Sequence, residues 1–527
     1  MASPSVSAVF TGCSCAPLDG SDWNLHDRTS KKPSGVARGG ENEVKALIQN
    51  EEVLARTVER CRQRKIRIPT FAEMKDPERI PAEVKAQLPK IGLWDVDPLN
   101  LYRITWKNDI QTGLYGPVNA FEIPSALTGV PARIVGLIGK YFPTGAHKVG
   151  AAFGCLVPRL VTGQFDPSNQ RAVWPSTGNF CRGGAFDCAL LACDAIAILP
   201  EEMSRERFEW LREIGTKEII ATPGSESNVK EIYDKCWELR KERGGSIIVF
   251  NQFEEFGNSI WHYHVTGSAI EEAFRRLANP RSLLFGFVSA TGSAGTIGAG
   301  DYLKVAFPRV KIAATEALQC PTLYLNGFGA HRIEGIGDKH IPWIHNVRNT
   351  DAVIALDDAY PMHVLRLFNE AAGQEQLQRE GVPSEVVEKL PLLGISSIAN
   401  LQASIRLAKY YELGPEEVIF TIFTDSADLY RSRLLELEQA CGAYTEVEAR
   451  VDFQRYLMGV KTDWIRELNY YDRKALHNLK YFTWVEQQGK SVEELNALWA
   501  EEFWQELYAQ VISWDDLIEE FNRRLVV

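Results

Sequence analysis

Leu283-Leu284-Phe285-Gly286-Phe287-Val288-Ser289-Ala290 runs without a break into Thr291-Gly292-Ser293-Ala294-Gly295-Thr296, and glycines continue at Gly298 and Gly300. A run this apolar suits a strand covered on both faces. The small residues after it let backbone N–H groups approach an anion closely at the start of a helix. The same strand, turn and helix order recurs outward in both directions. ARIVGLI (132–138), RAVW (171–174), AIAIL (195–199), EIIAT (218–222), SIIVF (246–250), KIAATE (311–316), AVIAL (352–356) and EEVIFTIF (416–423) alternate with longer stretches of helical spacing. Such alternation predicts parallel βαβ units and a two-lobed, doubly wound α/β protein.

At 527 residues the chain exceeds what one core usually organises. Hydrophobic residues make up 45% and charged residues 24%, which is globular usage. Lys and Arg number 58 against 69 Asp and Glu, a net charge of −11 with no long basic run, so no nucleic-acid partner is expected. The ten cysteines are scattered, as in a reducing cytosol. The N-terminus makes a poor signal peptide, and no apolar run is long enough to span a membrane.

Residues 1–40 read as a flexible arm rich in Ser, Gly and Pro; 41–119 as an N-terminal extension with a helix over 41–65; 120–440 as the core; and 441–527 as a helical C-terminal extension. Strands are expected to stop after Cys441, with helices over 456–466, 492–510 and 514–524. The aromatic residues there read as packing or a subunit contact. His262 and His264, like Cys13 and Cys15, have a two-residue spacing, which on a helix points side chains apart, so no metal site is expected.

Four turns at strand ends collect the candidate chemistry, because ligands of open α/β sheets bind outside the carboxyl ends of the strands. Pro143-Thr144-Gly145-Ala146-His147-Lys148 places a lysine at a helix start among small apolar residues. The positive end of the helix dipole and the apolar surroundings both disfavour the ammonium, which suits a Schiff-base amine; a lysine that snorkels to solvent is the competing reading. Ser176-Thr177-Gly178-Asn179 gathers hydroxyls and N–H groups at a helix N-terminus, either a carboxylate site or an ordinary cap. Gly292-Ser293-Ala294-Gly295-Thr296 reads as a phosphate cradle, with a dinucleotide loop as its rival because Glu316 closes the next strand. Thr424-Asp425-Ser426 ends the last strand with a serine able to bond a ring nitrogen.

In this order the four turns resemble the fold type II family of pyridoxal-phosphate enzymes over roughly residues 120–435. TGAHK (144–148) is similar to the tryptophan synthase β chain, while the rest lies nearer cysteine synthase and cystathionine β-synthase. The resemblance implies two lobes with pyridoxal 5′-phosphate between them and the cofactor carried by Lys148. It puts His147 near the phosphate, Gly292, Ser293, Ala294, Gly295 and Thr296 around it, Asn179 beside the cofactor hydroxyl and Ser426 at the ring nitrogen. Ser176, Thr177, Gly178 and Asn179 become the substrate-carboxylate loop. GSAGT stands where the family loop reads GTGGT, and Phe180-Cys181-Arg182 departs from the Thr-Gly of cysteine synthases, so Arg182 is a candidate to pair with an acidic group of the substrate.

The implied activity is β-elimination or β-replacement on a small amino acid. The substrate amine displaces Lys148, which then serves as base at Cα. Alternatives are a serine/threonine-type dehydratase or other ammonia-lyase, a nicotinamide-dependent dehydrogenase using Glu316, and a non-catalytic binding protein. A cytoplasmic homodimer is expected.

Overall fold

The computed structural model describes residues 47–526 other than 177, 226, 227 and 338. The arm expected for residues 1–40, with Cys13 and Cys15, lies outside the described residues, as does Thr177.

Eleven strands form among the described residues: β1 (Ala120–Ile123), β2 (Arg133–Ile138), β3 (Arg171–Pro175), β4 (Asp194–Pro200), β5 (Glu218–Thr222), β6 (Ile247–Val249), β7 (Leu283–Ala290), β8 (Lys311–Ala317), β9 (Ala352–Leu356), β10 (Glu417–Phe423) and β11 (Ile465–Glu467). They build a seven-stranded sheet in the order β1-β2-β10-β7-β8-β9-β11 and a four-stranded sheet in the order β5-β4-β3-β6. The four-stranded sheet is wholly parallel, as is the centre of the larger one. The apolar runs are strands because both faces are covered; β9 and the last six residues of β10 are buried throughout. The helix Ile395–Tyr410 is buried from Ile395 to Ala408, which explains its lack of a polar face.

The edges of the larger sheet correct two expectations. β1 pairs with β2 and β11 with β9, both antiparallel. Strands therefore do not stop at Cys441. The segment expected to be helical over 456–466 is instead a helix Glu446–Phe453, a wide helical turn Gln454–Met458 and then β11. Three residues of β11 carry no periodicity to read; they are extended because the open edge of β9 supplies hydrogen-bond partners. The helices expected over 492–510 and 514–524 divide differently: Val492–Ala497 is a short helix of its own, and one 26-residue helix runs over Glu501–Val526.

The two extensions are tied to each other, and the C-terminal one to the core. Asp515 accepts from the N–H groups of Phe71 and Ala72 at 2.6 and 3.1 Å, and Tyr508 donates its hydroxyl to Asp301 at 2.6 Å. Burial of Trp484 and Trp504 makes part of the aromatic cluster core, whereas Tyr470, Tyr471 and Phe482 are exposed. No helix among the described residues is long and apolar enough to cross a membrane.

Candidate active site

Lys148 opens the helix Lys148–Val161, with His147 as its N-cap. Its side chain lines a narrow cavity of about 30 Å3 between the two sheets. Ser176 and Asn179, from the end of β3, line one wall. Gly292, Ser293, Ala294 and Thr296, after β7, line another, and Thr424 closes the end of β10. Sequence positions from 148 to 424 thus converge because each follows a strand whose carboxyl end faces the same crevice. A larger groove beside the C-terminal helix holds the ion pair Arg159–Glu255 but none of these turns.

The loop after β7 is held from below. Ser293 Oγ receives Lys148 Nζ at 3.0 Å, Asn258 Nδ2 at 3.0 Å and the Gly295 N–H at 3.4 Å. Asn258 also donates to the Gln252 carbonyl at 3.0 Å. A Cβ on Gly295 would lie 1.9 Å from Asn258 Oδ1, so glycine is required there by the close approach of that amide. Ala294 adopts φ +62°. This left-handed conformation favours glycine, and it falls at the one position where the loop carries alanine in place of the family's central glycine.

Asn179 begins the helix Asn179–Leu190 and is held at both ends of its amide. Nδ2 donates to Asp425 Oδ2 at 2.6 Å, and Oδ1 accepts from Arg182 at 3.2 Å. Asp425 also accepts from the Tyr430 hydroxyl at 2.9 Å, and that hydroxyl accepts from Arg207 at 2.9 Å. Arg207 pairs in turn with Glu334 at 3.3 Å. Gly178, at φ +155°, is where Arg207 packs: a Cβ there would lie 1.9 Å from the guanidinium. Burial pushes the Asp425 carboxyl up, while Arg207 and the donors Asn179 and Tyr430 pull it back down.

Arg182 does not line the cavity. It lies beneath Asn179, donates to the Thr144 carbonyl at 2.9 Å and stacks 4.4 Å from the Trp210 ring. Burial, with the neighbouring Arg207, brings it down to about 10. Ser426 Oγ points to Asp428 at 3.3 Å rather than onto the cavity wall. His147 is fully buried, 3.2 Å from Thr296 Oγ1 and stacked on Trp106; burial and then Lys148 keep its imidazole neutral.

Glu316 is committed elsewhere: its two oxygens accept from the N–H groups of Leu323 and Tyr324 at 2.9 and 2.8 Å, which leaves no free edge for a ribose. His262 bonds Thr266 and His264 bonds the Tyr508 carbonyl, on opposite sides of their helix. Reading the sequence missed Gln252 and Asn258, which sit in a stretch with no glycine-rich signal. Arg207, Glu334, Asn400 and Tyr430 fall in the segments 203–215, 331–337, 394–400 and 424–430, which resemble the family, but the resemblance names no role for them, and only the fold brings them together.

A family model described as "Pyridoxal-phosphate dependent enzyme" matches residues 140–425. A cysteine synthase of Staphylococcus aureus is 30% identical over 291 residues, 55% of this chain and 84% of the relative. The cystathionine beta-synthase of Saccharomyces cerevisiae is 27% identical over 326 residues, 60% of each chain. Among solved structures, O-acetyl serine sulfhydrylase isoform 3 from Entamoeba histolytica superposes with a TM-score of 0.52 at 20% identity, covering 64% of this chain and 93% of that one. A hydrogen sulfide-producing enzyme from Fusobacterium nucleatum gives 0.50 at 24%, covering 59% and 95%. The two structures share the fold.

Proposed function

The chain belongs to the family of pyridoxal-phosphate dependent enzymes, and from that premise we propose the division of labour in its cavity. It acts at Cβ of an amino acid, by elimination or replacement, with pyridoxal 5′-phosphate as cofactor. The residues fit that group: an amine projects into the cavity opposite a turn of small residues whose positive-φ Ala294 aims backbone inward. When bound, the cofactor supplies the electron sink for the bond broken at Cα.

The chain's own residues do the rest. In this reading Lys148 holds the cofactor and, once displaced by the substrate amine, moves the Cα proton at Nζ. Backbone N–H groups of 292–296 and Thr296 hold the phosphate, at the head of the helix Gly298–Ala306. Ser176 and Asn179 meet the substrate carboxylate and the cofactor hydroxyl, with Gln252 Nε2 fixing the Ser176 hydroxyl at 3.2 Å. Neutral His147 supports the phosphate end. Ser426 is assigned to the ring nitrogen from its motif, a role that takes a rotation of its hydroxyl away from Asp428. A neutral hydroxyl there favours loss of a β substituent over transamination. Arg182 is assigned to Asn179 rather than to substrate.

The observation that carries this reading is Lys148 Nζ at 3.0 Å from Ser293, amine and phosphate turn in one cavity. The test is an absorption spectrum of the purified protein, then borohydride reduction and peptide mapping. A violet band lost on reduction, with the cofactor fixed to Lys148, is expected; cofactor on another lysine, or none, overturns the assignment. Incubating the protein with an O-activated serine, with and without sulfide, then distinguishes replacement from elimination. A cytoplasmic location is part of the proposal, supported by eight free cysteines among the described residues, and so is a homodimer, which the mass in solution tests.

A further inference from the structure

Asn179 offers the cavity a donor or an acceptor depending on which way its amide is turned, and the groups behind it decide which. A guanidinium has only donors, so the atom facing Arg182 at 3.2 Å must be Oδ1. The atom 2.6 Å from Asp425 Oδ2 must then be Nδ2, and Asp425 acts as acceptor, since the Tyr430 hydroxyl donates to the same oxygen. One hydrogen of Nδ2 is spent on Asp425. The second is left for the cavity, whose wall Asn179 forms.

We propose that Asp425 is a positioning residue that locks the Asn179 amide so that it presents an N–H, and never a carbonyl oxygen, to an oxyanion in the cavity. Resting on the reading above, that oxyanion is the ionised hydroxyl of the cofactor. Asp425 is itself fixed. It is fully buried, its carbonyl accepts from the Gly394 N–H at 2.9 Å, and a Cβ on Gly394 would lie 2.0 Å from its Oδ1, so glycine there is what lets the carboxylate pack against that backbone. Charged and titratable groups around it are Arg207 at 4.0 Å, Arg182 across Asn179, and Tyr430. Arg182 holds the Oδ1 end of the same amide, but neither arginine can accept from Nδ2 and Tyr430 is already donating.

Asp425→Asn is isosteric but replaces an acceptor-only carboxylate with an amide that can also donate, so Arg182 alone is left to hold the Asn179 amide against inversion. The readouts are cofactor affinity, by titrating apoprotein with pyridoxal phosphate, and the pH midpoint of the bound cofactor's visible band. Expected are about tenfold weaker binding and a midpoint raised by about one pH unit, from losing one hydrogen bond to an oxyanion. The same substitution in an Asn179→Ala background is expected to move neither further, because the effect passes through Asn179. Equal shifts in both backgrounds, or none in the parent background, overturn the proposal.

If Asp425→Asn does not fold, Arg182→Lys serves. It keeps the charge but withdraws the rigid fork that holds Oδ1, and it is expected to shift the midpoint in the same direction, again only when Asn179 is present. No shift overturns the proposal. A parent protein without a visible band is a failure of the functional reading, seen before any variant is made.

Discussion

Lys148 Nζ and Ser293 Oγ stand 3.0 Å apart across the crevice between the two sheets, joining the head of one helix to the loop after β7. The amine is therefore aimed by a residue of the turn proposed to hold the phosphate, and in that proposal the anchoring belongs to the turn's backbone. Lys148→Ala is expected to abolish turnover yet bind pyridoxal phosphate noncovalently. Activity assays with dialysis against free cofactor check both, and an active variant would sink the lysine's role.

Gly295→Val is expected to weaken cofactor binding by about tenfold or more, through an indirect route. Its side chain collides first with Asn258 Oδ1, and Asn258 is what holds Ser293. Equilibrium titration of the apoprotein is the measurement, and unchanged affinity rules out this loop as the anchor.

Ala294→Gly should preserve the loop and relieve the left-handed conformation seen at φ +62°. The strain is worth about 1 kcal/mol, partly offset by the greater freedom glycine gives the unfolded chain. A small rise in the urea midpoint with cofactor affinity retained is the expected pair of results. A marked fall in stability would mean that the alanine methyl packs favourably enough to outweigh the strain.

Asp187 lies fully buried in the helix Asn179–Leu190, and neither carboxylate oxygen has a hydrogen-bond partner among the described residues. Burial pushes its carboxyl well above the usual range, so the folded protein keeps the proton. Above about pH 4 the unfolded chain releases that proton and the folded chain does not, so stability falls as pH rises, by at most about 1.4 kcal/mol per pH unit. Asp187→Asn, uncharged at every pH, should flatten this dependence. Urea unfolding at pH 5, 6.5 and 8 measures it; an identical slope in the variant contradicts the assignment.

Residues 283–290 and 352–356 could be read as strands to the residue, because burial on both faces leaves an uninterrupted apolar run. β1 and β11 could not, since they are short, lie at sheet edges and owe their extension to a neighbour rather than to their own pattern. The candidate site divides the same way. Lys148, Asn179 and the glycine-rich loop stand out locally, each a short motif at a strand end. The buried group of Arg207, Glu334, Asp425 and Tyr430 cannot be read as a group, because its members come from three separate segments, and the likeness of those segments to the family says nothing of their meeting. Arg182 looked available to substrate for the same reason: nothing near it in sequence reveals that Thr144, Asn179 and Trp210 enclose it.

The strand order has a consequence for how this chain is made. In the larger sheet β2 lies directly against β10, with Arg133 opposite Val418, and β10 alone bridges β2 to β7. A ribosome emits β2 early and β10 late, so the first strand waits, one flank unpaired, through most of translation. The four-stranded sheet draws all its strands from the contiguous stretch between Arg171 and Val249 and need not wait. That half can condense on the nascent chain. The other half closes only when β10 arrives to join β2 to β7 and, with Asp425 just beyond it, forms the wall behind Asn179 in the same event, leaving only the edge strand β11 to follow.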